Sequence, residues 1–165
     1  AEAGIRDRLR RVGLGEWYKG QPYDEAVLLS WYLGNIFYSV MGQIVDTFAG
    51  RYERAVLENQ KLMTIGFWPG GDRDGNPFVN VDTTRRVAAK LRYSIASCYH
   101  RDIRELKRRL TFKGTYAILD DIEKQLHDEI SESKPVYTLD AVALLAKLDE
   151  IETILLEHNQ GLFVD

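Results

Sequence analysis

Twenty consecutive residues, 26–45, carry no charge, and this run limits the folds open to the chain more than any other feature. It holds Leu28, Leu29, Trp31, Leu33, Ile36, Phe37, Val40, Met41 and Ile44, follows Pro22, Asp24 and Glu25, and is closed by Asp46. Proline is well suited to a first helical turn, and acids there meet the positive end of the helix dipole, so a helix over residues 22–48 is predicted. The run has the length of a membrane span. Ser30, Asn35, Ser39 and Gln43 within it, acids at both ends and the lack of a second such segment argue against one, and no membrane partner is expected. A helix apolar on most sides belongs in a core, so a buried apolar helix is expected. A chain of 165 residues has limited means to surround it, and part of the cover is expected from chain beyond these residues.

The remaining patterns are also helical. Residues 2–12 read as the end of a charged helix with Ile5, Leu9 and Val12 on one side, broken by Gly13, Gly15 and Gly20. Residues 49–62 suggest a shorter helix containing Tyr52, Val56 and Leu57. Asp82 suits an N-cap for a long basic helix over residues 82–110, whose apolar stripe is Val87, Leu91, Ile95, Cys98, Ile103, Leu106 and Leu110. Gly114 ends it. An acidic helical pair over residues 115–157 follows, with Ile118, Leu119, Ile122, Leu126 and Ile130 inward on the first member and residues 131–135 as a linker. The second member, from residue 139, turns Val142, Leu145, Leu148, Ile151 and Leu155 inward. No strand-like alternation persists after residue 78, so the class is all-α and the chain is taken as a single helical region.

Charge is distributed unevenly: residues 83–113 carry a net +8 and residues 114–165 a net −9. A basic segment followed by an acidic one most simply means that the two lie side by side, and no nucleic-acid partner is expected. The single cysteine, Cys98, excludes an internal disulfide and fits a reducing compartment, for which the cytoplasm is the expectation. The first residues lack the basic and apolar regions of a signal peptide, and without an initiator methionine the chain reads as processed or as a piece of something longer.

Between the helical patterns lies Trp68-Pro69-Gly70-Gly71-Asp72-Arg73-Asp74-Gly75-Asn76-Pro77-Phe78, too rich in glycine and proline for regular structure. Taken as a calcium loop beginning at Asp72, it puts Pro77 at the required glycine and Thr83 at the required glutamate, so that reading fails. The glycine amides and the Arg73 guanidinium could cradle a phosphate, although the P-loop lysine is missing. A rigid turn, in which Asp72 and Asp74 hold local amides and Arg73, accounts for the composition at least as well. His100, His127 and His158 fall on three predicted helices without metal-ligand spacing, and Cys98 lies on an apolar stripe. Residue chemistry alone names no reaction.

The loop nevertheless resembles that of the phosphoenolpyruvate carboxylase family, written F-x-x-W-x-G-G-D-R-D-G-N-P with a following V and T-R. Here Gly70 to Pro77 match without a break, Val79 and Thr84-Arg85 follow, and Pro22-Tyr23-Asp24-Glu25-Ala26 is similar to the family's helix start. The spacing from Phe67 to Trp68 is shortened, and the last segment has no placed counterpart. The resemblance implies a helical bundle fragment of a larger, mostly helical, barrel-containing enzyme that joins phosphoenolpyruvate to bicarbonate with Mg2+ or Mn2+ and forms homo-oligomers. The family's motifs T-A-H-P-T and H-G-R-G-G are absent, so no activity, metal site or cofactor is expected in these residues alone, whose partner would be the rest of the parent chain. Within the parent, the resemblance implies that Arg73 stabilises anions, that Asp72, Asp74 and Asn76 orient the loop, and that Gly70, Gly71 and Arg85 assist in binding substrate or effector. Catalysis, effector binding and a structural role all stay open for this loop.

Overall fold

A computed structural model of the chain describes residues 22–51, 63–71, 76–131 and 140–158. Every regular element among them is helical, so the class is all-α. The expected helix over residues 2–12, residues 52–62 of the one expected over 49–62, and residues 132–135 of the linker expected at 131–135 lie outside the described residues. The chain divides into two compact units, Ala1–Lys90 and Leu91–Asp165.

In the first unit, α1 (Pro22–Tyr32) continues through a π-helical turn (Leu33–Phe37) into α2 (Tyr38–Ala49). Tyr32 and Phe37 keep right-handed helical dihedrals, and the Tyr38 N–H donates to the Leu33 carbonyl in the wider turn. Polar residues are accommodated by the helix's own carbonyls: Ser30 Oγ donates to Val27 O, Asn35 Nδ2 to Trp31 O and Thr47 Oγ1 to Gln43 O. Among the described residues no helix is long and apolar enough to cross a membrane.

Among the described residues this helix is largely exposed. Only Pro22, Ala26 and Ser30 are buried, a stripe at every fourth residue, while Leu28, Trp31 and Phe37 are about half exposed. The stripe consists of small side chains, and most of the large apolar groups around the rest of the circumference are only partly covered among the described residues. Hydrophobicity all round a helix demands cover without saying which chain supplies it.

The long helix α3 (Val81–Arg109) is capped at Asn80, not at Asp82. Asn80 Oδ1 accepts the Thr83 N–H at 2.9 Å and Asn80 O accepts the Thr84 N–H at 3.0 Å, so Asn80 is the N-cap. Asp82 sits inside the first turn, where its charge still favours the helix dipole.

The second unit packs the later part of α3 with α4 (Thr115–Ile130) and α5 (Ala141–Glu157). Its core is Ala96, Ile103 and Leu110 from α3, Leu119, Ile122 and Leu126 from α4, and Ile151 and Leu155 from α5. Cys98 is buried as expected, and burial pushes its thiol pKa up. Two apolar stripes are corrected. On α3, Ile95 is exposed and the small Ala96 is fully buried. On α5, Val142 and Leu145 face solvent and Leu144 approaches the core instead, while Leu148 packs against it as expected. The first two turns of α5 are apolar almost all round, so periodicity there had no phase to report.

Gly114 makes the turn between α3 and α4 at φ 102°, a conformation that side chains resist, and the buried Thr115 hydroxyl donates to Phe112 O. The turn sets an antiparallel register in which charges pair in order. Lys107 Nζ reaches Asp120 and Glu123 at 2.5 and 2.8 Å, Arg104 lies 3.5 Å from Glu123, and Arg92 pairs with the nearly buried Glu129. The basic stretch therefore directs several of its cations at the acids of α4. Hydrogen bonds from Lys107 and Lys124 hold the Asp120 carboxyl down to about 2, and a hydrogen bond from Lys107 lowers Glu123. Between the Arg104 and Arg92 pairs, His100 and His127 face each other with ring centroids 5.9 Å apart.

Candidate functional site

The described stems of the loop converge on the first two turns of α3. On the entry side, Gly71 N–H donates to Trp68 O at 3.1 Å, closing a tight turn over Pro69 and Gly70. Gly70 is buried and adopts φ 76°, in the left-handed region. A Cβ placed on it would stand 2.6 Å from Val87 Cγ2 and 3.1 Å from Val87 Cβ, so only glycine lets the backbone lie against α3 here. The Gly70 carbonyl accepts from Thr84 Oγ1 at 2.7 Å.

On the exit side, Asn76 Oδ1 accepts the Phe78 N–H at 3.1 Å and Asn76 O accepts the Val79 N–H at 3.1 Å. The asparagine thus takes the place of a backbone group in a compact turn. Val79 is buried, and Phe78 O accepts from Thr83 Oγ1 at 2.8 Å. Tyr23, from the segment similar to the family's helix start, lies beneath the Arg86 guanidinium, 3.9 Å from its ring centroid. Three separate stretches of sequence that carry the resemblance therefore meet around residues 83–87.

Of the site residues expected from sequence, Gly70 is buried, Asn76 is half-buried, and Gly71 and Arg85 are exposed. Asp72, Arg73 and Asp74 lie outside the described residues. Reasoning from sequence missed Asn80, Thr83, Thr84 and Arg86. The run Asn80-Val81-Asp82-Thr83-Thr84 offers three residue types able to cap a helix, and only the position of the stems selects among them.

A family model described as Phosphoenolpyruvate carboxylase matches residues 18–151. The chain belongs to the phosphoenolpyruvate carboxylase family. A phosphoenolpyruvate carboxylase of Alcanivorax borkumensis is 34% identical over 123 residues, covering 66% of this chain and 14% of that protein. One from Pseudomonas putida is 29% identical over 147 residues, covering 80% of this chain and 16% of its own length. One from Pseudomonas fluorescens is 31% identical over 129 residues. The chain thus spans roughly one seventh of the curated phosphoenolpyruvate carboxylases it matches. No solved structure matches it.

Proposed function

We propose that this chain is a segment of a phosphoenolpyruvate carboxylase that converts phosphoenolpyruvate and bicarbonate to oxaloacetate and phosphate, with residues 66–81 contributing an anion-stabilising loop near the active site. The observation that supports it is the family match over residues 18–151, which contains the whole loop and both of its stems. Carboxyphosphate and the enolate, the intermediates that the family reaction implies, are both anions. A planar guanidinium and fixed backbone amides stabilise such charge without reorganising during the reaction. Arg73 is assigned that role, with Asp72 and Asp74 orienting it, Asn76 closing the turn, Gly70 and Gly71 presenting backbone, and Arg85 as a second cation.

These residues make up a small share of the relatives' length, and on this reading they are inactive alone. Their partners are the rest of the parent chain and further copies of it in a homo-oligomer. The Mg2+ or Mn2+ of the family finds no cluster of three or more His, Cys, Asp or Glu side chains among the described residues. The test is Arg73→Ala in the full-length protein, with oxaloacetate formation measured. Turnover is expected to fall about 100-fold, the scale of losing one anion-stabilising donor, with far-UV circular dichroism unchanged. Wild-type turnover would remove the assigned role.

A further inference from the structure

We propose that Thr83 and Thr84 are positioning residues, a two-point clamp that fastens both stems of the loop to the first turn of α3. This rests on the functional reading above. Thr84 Oγ1 donates to Gly70 O at 2.7 Å across fourteen residues of chain, and Thr83 Oγ1 donates to Phe78 O at 2.8 Å. One stem is held by each hydroxyl. Each also has a longer contact to the capping residue, Thr84 Oγ1 to Asn80 O at 3.1 Å and Thr83 Oγ1 to Asn80 Oδ1 at 3.2 Å. Those contacts aim the hydroxyls toward the start of the helix, where the stems pass. β-Branching restricts the number of rotamers from which either hydroxyl can swing away.

The clamp also explains why the loop lies so close to the helix. Gly70 rests against Val87 in a conformation open to glycine, and the Thr84 bond is made by that same residue's carbonyl. At the other stem, the Asn76 turn places the Phe78 carbonyl at Thr83. Two successive helical residues with a fixed angular offset therefore define where the segment between the stems begins and ends. Catalytic groups misplaced by about 1 Å can lose roughly 100-fold in rate, so stems tied to a rigid helix have kinetic value.

The experiment uses the full-length protein with Thr83→Val, Thr84→Val, the double variant, the serine variants Thr83→Ser and Thr84→Ser, and Arg73→Ala as a control. Valine keeps the branched shape and removes the hydroxyl. The expected result for each valine variant is a kcat about tenfold lower with the KM for phosphoenolpyruvate little changed, and recovery of most of that loss by serine. Amide exchange at Gly71 and Val79 should accelerate about fivefold in the valine variants, the scale of one lost hydrogen bond. Wild-type kcat in the valine variants beside an impaired Arg73→Ala overturns the clamp. Wild-type kcat in Arg73→Ala overturns the functional reading instead, and exchange then decides the clamp alone, with unchanged exchange refuting it.

Discussion

Replacing Gly70 by alanine is expected to destabilise the first unit by about 2–5 kcal/mol. Two terms make up the figure. A residue with a Cβ held near φ 76° pays about 1–2 kcal/mol for the left-handed conformation. The added methyl would also stand 2.6 Å from Val87 Cγ2, and overpacking of this kind costs about 1–3 kcal/mol. Val87 cannot readily yield, since it is β-branched, helical and 4% exposed. Asparagine tolerates the left-handed region but carries the same Cβ, so Gly70→Asn should remain within about 1 kcal/mol of Gly70→Ala. Val87→Ala on its own costs about 1.5–3 kcal/mol of lost burial, but it removes the 2.6 Å contact. The two changes should therefore couple favourably by about 1–3 kcal/mol in a double-mutant cycle. Urea unfolding followed by far-UV circular dichroism supplies all four corners. A single-variant cost below about 0.5 kcal/mol, or additivity within that margin, would refute the steric argument.

Leu119 is fully buried, so Leu119→Ala should cost about 2–5 kcal/mol in thermal or chemical unfolding. Val142→Ala, at a site 75% exposed, should stay within about 0.5 kcal/mol, and a core-sized loss there would overturn the register of α5. Lysine hydrogen bonds hold Asp120, Asp121 and Glu123 below their ordinary values of 3.8, 3.8 and 4.5, with Asp120 lowered to about 2. Carboxyls depressed in the folded state add stability above their unfolded pKa and lose it as pH falls through the folded value. Unfolding midpoints should therefore drop from about pH 4.5 toward 2, and Lys107→Met should flatten the slope; an unchanged slope would show that the ladder is not its source. The exposed apolar surface of α1 and α2 should make the isolated chain self-associate, which a monodisperse monomer in light scattering would contradict.

Much of the fold was legible because it is local. Leu119, Ile122 and Leu126 repeat at helical spacing among polar residues, so one face of α4 was the only one it could bury. The loop's position was legible for the same reason, since its glycines and prolines interrupt two strong helical patterns. Where a stretch offered several equivalent choices, the reading slipped. Asn80 and Asp82 are both good caps, and the start of α5 is apolar on every side.

Sequence by itself determined the helical class, the place of the loop between helices, and the family. The first two follow from contacts within a few residues, and the last from an unbroken run of unusual composition. Tertiary structure decided which residues secure that loop. The Thr84 bond to Gly70 and the seat of Gly70 on Val87 join residues fourteen and seventeen apart in sequence, and no periodicity encodes them. It also decided that the uncharged helix is exposed within this chain, because periodicity identifies a surface that needs cover and only packing supplies the cover.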